Sequence, residues 1–156
     1  MFARYYVELP IAFDAVEGML LEAPVEWVPG LLRAAEDRGQ HLLADVGFEI
    51  DTGRVDKEVE ISLGESVRID GKASVPMSWH ATGADRLFPQ LDGDLEIAAL
   101  GSERTQLSMN AQYRPPMGAV GRVVDRALLH RVAEATIKDF VDRVGERIAA
   151  ALAPAS

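Results

Sequence analysis

From residue 40 to residue 114 the apolar residues recur on every second position, and from residue 119 to residue 152 they recur at steps of four and three. Alternation sends one set of side chains to each face of a pleated strand, whereas the second period gathers them into one stripe along a helix. A chain built this way has two large apolar surfaces, a sheet face and a helix stripe, and each needs the other as cover.

The alternating region divides into runs. Leu42, Ala44, Val46, Phe48 and Ile50 share one face; Val55, Lys57, Val59, Ile61 and Leu63 share the next. Val67 and Ile69 follow, then Ala73, Val75, Met77, Trp79 and Ala81. Leu87, Leu91, Leu95 and Ile97 precede Thr105, Leu107, Met109, Ala111 and Tyr113. The breaks fall at DTG, GES, DGK and GSER, where Gly, Asp and Ser favour turns. One apolar and one mostly polar face per run predicts an antiparallel sheet packed on one side.

Ahead of it, FARYYVELP predicts a strand that stops at Pro10. Val16, Met19 and Leu20 predict a short helix over 12–23. A second helix is expected over 28–38, with Pro29 in its first turn and Gly39 as its C-terminal cap. At the other end, YRPPMGAVG (113–121) breaks the chain sharply. Pro115 and Pro116 cannot donate to a ladder and so end the last strand, and Gly118 and Gly121 let the backbone reverse over the sheet edge. From Ala119 to Leu152 there is no proline, and Val123, Ala127, His130, Glu134, Ile137, Val141, Val144 and Ile148 form the stripe. The fold class is therefore α+β: a strand, two short helices, about six antiparallel strands and one long helix. The expected arrangement is a strongly curved sheet wrapped around the C-terminal helix. One domain over 1–153 is expected, with 154–156 frayed.

The net charge of −9 disfavours contact with phosphate backbones, so no nucleic acid is expected as partner. With no cysteine there are no disulfides and no thiolate metal sites. MFARYYVELP lacks the pattern of a signal peptide, and no apolar run approaches the roughly 20 residues of a transmembrane segment. A cytoplasmic location is expected. A homodimer is compatible with the sequence, but no feature demands one.

This element order, the stretch DGDLEIAALGSERTQLSMNAQYRPPMGAVG and the helix DRALLHRVAEATIKDFVDRV resemble the SRPBCC or START-like superfamily, which includes polyketide cyclase/dehydrase-like proteins. The resemblance covers essentially the whole chain. It implies the helix-grip fold and a cavity between sheet and helix for a hydrophobic or amphipathic ligand, lipid- or polyketide-like. Some members are enzymes and many are carriers. The resemblance carries layout and no catalytic motif, so it assigns no chemistry.

His130 and Glu134 are the leading candidates for chemistry. Four residues apart, they are neighbours on one helical face. Within an apolar stripe a charge must be paired or wet. Facing a cavity, the pair would anchor the polar end of a ligand or act as general base and orienting carboxylate. The alternative is that the helix overhangs the sheet and both meet solvent or Arg126. Phe48, Met77, Trp79, Leu107, Met109 and Tyr113, with Val123 and Ala127 opposite, are expected to line the ligand site or simply to pack the core; the Tyr113 hydroxyl adds a polar handle. Lys57 either reaches a ligand carboxylate or snorkels to water. His41 and His80 are isolated, with His80 outward by parity. Only two ligand types converge at His130 and Glu134, so no metal is expected, and no fingerprint calls for a cofactor. LDGDLE (91–96) lacks calcium-loop spacing and is expected as a bulge or a solvated face. Ser62, Ser74, Ser78 and Ser108 have outward parity, which argues against a serine nucleophile.

Three functions remain open. The leading one is a non-catalytic binding protein; the others are a cyclase, dehydratase or hydrolase using His130 and Glu134, and a protein-interaction module. A closed apolar cavity favours the first. Convergence of His130, Glu134 and a Tyr or Lys within hydrogen-bond reach favours the second. A filled core beside an exposed apolar patch favours the third.

Overall fold

The computed structural model describes residues 2–22, 27, 32–36, 39–50, 53–81, 90–114 and 126–153, and the side chains of 2–22, 27, 59–80, 90–113 and 130–153. Strand β1 (Phe2–Leu9) and helix α1 (Phe13–Glu22) come first. Seven strands follow: β2 (Leu32–Glu36), β3 (Gly39–Ile50), β4 (Gly53–Leu63), β5 (Val67–Ile69), β6 (Lys72–Ala81), β7 (Gln90–Ala99) and β8 (Thr105–Arg114). Helix α2 (Arg126–Leu152) closes the described chain.

All pairings are antiparallel, in the order β1-β8-β7-β6-β4-β3-β2, with β5 beside β6. Helix α2 lies against β1, β8 and β3. A helix that meets the first, second and sixth strands of one sheet requires the sheet to curve around it. The predicted curved sheet around a C-terminal helix is thus the observed architecture.

Inward parity and burial coincide along β4, β6, β7 and β8: Val59, Ile61, Val75, Met77, Trp79, Leu95, Ile97, Leu107, Met109 and Tyr113 are all buried. From α2 the core receives Ala133, Thr136, Ile137, Phe140, Val141, Val144 and Ile148. Thr136 satisfies its hydroxyl by donating to the Val132 carbonyl at 2.7 Å. Trp79 and Phe140 meet with ring centroids 5.2 Å apart and planes tilted by 57°. Gly145 lets the helix approach β1: a Cβ there would lie 3.3 Å from Leu9 and 3.5 Å from Val7. At the same interface the Tyr5 hydroxyl donates to Asp142 at 2.9 Å, and Lys138 pairs with the other Asp142 oxygen at 2.9 Å.

Pro76 stands in the middle of β6 because its neighbours change there. Its carbonyl accepts from the Gly64 amide at 2.7 Å, where β4 has ended at Leu63 and β5 has not begun. A strand residue's amide and carbonyl point the same way, so the missing N–H faces this gap.

The structure corrects several expectations. Within the expected 28–38 helix, Leu32–Glu36 is a strand that pairs with Gly39–Leu43; residues 28–31 and 37–38 lie outside the described set. Gly39 opens β3 instead of capping a helix. Trp27, between the two expected helices, is helical and wholly buried, its indole N–H donating to the Leu20 carbonyl at 2.9 Å. Val67 and Ile69 are exposed because they pair with Ser74 and Lys72 on the outer face of β6, while Arg68 pairs with the buried Ala73. Of the two forms expected for LDGDLE, the solvated face is the one found: Asp92 and Asp94 are exposed, and 91–96 pairs one-to-one with β6 and β8 without a bulge. The 113–121 corner lies outside the described residues beyond Arg114, as do 119–125 of the expected long helix.

Gly93 is needed for that unbroken pairing. A Cβ built on it would lie 2.4 Å from the Asn110 carbonyl oxygen and 2.9 Å from Ala111 Cα. Gly93→Ala is expected to cost about 1–3 kcal/mol in urea unfolding, because backbone has to move. Gly18→Ala, within α1 where a Cβ meets nothing within 4 Å, is expected to stabilise by up to about 1 kcal/mol. Equal effects at the two sites would contradict the close approach of β7 and β8.

Candidate functional site

Ile61, Trp79, Leu91 and Tyr113 form one row across β4, β6, β7 and β8, and all four are buried. Tyr113 ends the row as the last inward residue of β8. Its hydroxyl lies 2.8 Å from His130 Nδ1, on the second turn of α2. The rings are 5.9 Å apart between centroids. One turn further along, Glu134 Oε1 lies 2.7 Å from His130 Nε2. The result is a continuous relay, Tyr113–His130–Glu134, running from a tyrosine that is 2% exposed to a glutamate side chain that is 57% exposed.

The chemistry of the relay follows from its protons. Glu134 as a carboxylate only accepts, so His130 Nε2 carries a hydrogen toward it. In a neutral imidazole Nδ1 is then an acceptor, and the Tyr113 O–H donates to it. When His130 takes a second proton, Nδ1–H donates to the Tyr113 oxygen instead, and the phenolic hydrogen must turn elsewhere. A histidine held between a phenol and a carboxylate has fixed tautomer and orientation, which a general acid or base needs.

Burial, and then the charge of Glu134, push the Tyr113 hydroxyl above the ordinary tyrosine value of 10.0. Tyr5 is also raised above 10.0, first by burial and then by the hydrogen bond to Asp142 and its charge, which outweigh Lys138.

The other expected site residues are placed as follows. Met77, Trp79, Leu107 and Met109 are buried on the inner sheet face, with Leu107 and Met109 at 0% exposure. Leu107 and Met109 are fully enclosed by their neighbours, so a ligand touching them has to displace some of those neighbours. Phe48 lies on β3, Lys57 on β4 and Ala127 in α2, but their side chains lie outside the described set, and Val123 does so entirely. Glu134 lies on the flank of the stripe, which passes through the buried Ala133 and Phe140. His80 is outward, 3.5 Å from Glu60 directly opposite on β4. Ser62, Ser74 and Ser78 are likewise not buried, whereas Ser108, also of outward parity, is buried. Phe140 was missed because a trace by single steps of four and three follows one edge of a wide stripe; Ala133, Phe140 and Val144 lie at steps of seven and four and carried the signal.

A group whose value is raised in the folded state adds stability below its unfolded value and loses it as pH rises through the folded one. Two of the three tyrosines, Tyr5 and Tyr113, are therefore expected to ionise late in a 295 nm absorbance titration of the native protein, above pH 10.0. Stability is expected to fall over the same alkaline range, less steeply in Tyr113→Phe. Normal titration of all three tyrosines would contradict the buried relay.

The sequence matches no family model and no curated protein. The structure is similar to that of a conserved protein from Geobacillus kaustophilus, with a TM-score of 0.63, 15% identity and 97% of each chain covered. A START superfamily protein from Mycobacterium smegmatis matches with a TM-score of 0.57 and 14% identity, over 96% of this chain and 98% of that one. Norcoclaurine synthase from Thalictrum flavum matches with a TM-score of 0.56 and 10% identity, over 99% and 87%. The chain has the START-like helix-grip fold, the fold its sequence resembles.

Proposed function

We propose that this protein binds a small hydrophobic or amphipathic molecule between the curved sheet and α2, with the polar end of that molecule at Tyr113–His130–Glu134. The observation that carries the reading is the relay itself. At the margin of an apolar core His130, 38% exposed, is held between the buried Tyr113 at 2.8 Å and Glu134 at 2.7 Å. A polar cluster half inside an apolar wall is how small-molecule sites orient an amphipathic ligand. The core is filled around Leu107 and Met109, so the ligand would enter between sheet and helix at the Tyr113 end, beside the half-exposed His130. Among the described residues no helix is long and apolar enough to cross a membrane.

A second reading, acid–base catalysis on the bound molecule, is favoured by one observation: a tyrosine joins His130 and Glu134 within hydrogen-bond reach. His130 would move the proton, Glu134 would hold the ring, and Tyr113 would return or accept the hydrogen.

Native mass spectrometry of protein purified from its own host tests the proposal. Wild type is expected to carry an added mass that denaturation releases, and His130→Ala to lose it while keeping its circular dichroism spectrum. Trp79→Ala serves as a packing control and is expected to lose about 3–5 kcal/mol of stability. No added mass in any variant would count against binding. Conversion of the identified molecule by wild type but not by Tyr113→Phe would establish the catalytic reading.

A further inference from the structure

Strand β1 is the first strand of the sheet, and among the described residues it pairs only with β8. Its pairing is unbroken from Phe2 to Leu9, with no bulge and no proline. Its inner face is covered by α2, where Tyr5 meets Asp142 and Val7 lies beside Gly145. Its outer face reads Phe2, Arg4, Tyr6, Glu8, and all four are exposed, Phe2 at 76% and Tyr6 at 55%. A long, regular edge with large exposed apolar side chains is a template for another strand, and monomeric proteins usually blunt such edges.

The order of charges selects the partner. An antiparallel pair of two copies of β1 centred on Tyr6 sets Arg4 opposite Glu8 of the second copy, and Glu8 opposite the second copy's Arg4. Tyr6 then faces its own symmetry mate, and Tyr5 faces Val7. Directly opposed opposite charges and paired aromatics are the favourable cross-strand combinations, and like charges there are unfavourable. Among the described residues Arg4 makes no ion pair, and Glu8 meets only the exposed Arg104, at 3.4 Å, an exchangeable contact. Two-fold symmetry makes each contact occur twice. We propose that the outer edge of β1 joins two copies of this chain into a homodimer with a continuous sheet, its register fixed by the reciprocal Arg4–Glu8 pairs.

Sedimentation velocity over a concentration series tests this, with Arg4→Glu and Glu8→Arg as variants. Wild type is expected to dimerise, and each variant alone to raise the dimer dissociation constant by at least about tenfold, since two attractions become two repulsions. Mixing the two variants is expected to restore association. In the mixed pair one copy carries carboxylates at both positions and the other carries guanidinium groups at both, so each opposed pair is again of opposite charge. Native mass spectrometry would show the one-to-one heterodimer. The substituted side chains face outward, so thermal unfolding of dilute monomer is expected to stay unchanged and excludes misfolding as the cause. Wild type that stays monomeric at millimolar concentration overturns the proposal. A dimer indifferent to both substitutions, or variants that fail to associate when mixed, overturns it as well.

Discussion

The structure depends on the burial of one helix stripe in the hollow of one sheet. Ile137, Phe140, Val141, Val144 and Ile148 leave water by joining Trp79, Leu107 and the other buried residues of the sheet in one core. Burying each large apolar side chain is worth roughly 1.5–3 kcal/mol. Neither surface is stable uncovered: a 27-residue helix with an apolar stripe and a one-sided sheet each need a partner. Curvature follows from this need. The sheet has to bring β1, β8 and β3 onto the same helix, and glycines sit at two close approaches, one between helix and sheet and one within the sheet. Gly145 admits β1, and Gly93 admits β8 beside β7.

The relay is a consequence of the same packing. Tyr113 is held by its row with Leu91 and Trp79, and its hydroxyl emerges at the end of the core. Helix α2 arrives there with His130 and Glu134 one turn apart. A buried phenol needs a hydrogen-bond partner and a charge at an apolar margin needs company; the relay meets both needs. Among the described residues no buried side-chain polar atom lacks a partner, so this cluster is integrated with the core. A core so completely filled near Leu107 and Met109 directs attention to its Tyr113 end, where a half-exposed histidine offers the adaptable contact.

Parity carried most of the fold. Thr105, Leu107, Met109, Ala111 and Tyr113 share a face in the sequence and are all buried in the structure. Parity holds within a run but not across a break such as GES, after which Val67 and Ile69 fall on the outer face, and so they were unreadable. LLRAAEDR is rich in helix formers, yet Leu32–Glu36 pairs as a strand with β3, a tertiary contact that local propensity does not contain. His130–Glu134 was legible because it is local. Its link to Tyr113 spans 17 residues and the double-proline corner, and appears only once sheet and helix are docked. The paired charges on β1 were in plain view, but their meaning depends on β1 being an edge.

Tyr113, His130 and Glu134 form one hydrogen-bonded unit at the end of the core. Ring-nitrogen chemical shifts of His130, from 15N-labelled protein at neutral pH, test it most directly. A protonated Nε2 is expected, with an Nδ1 whose shift reports a hydrogen bond, changed by Tyr113→Phe at Nδ1 and by Glu134→Gln at Nε2. A rapidly averaging imidazole, indifferent to both substitutions, would contradict it.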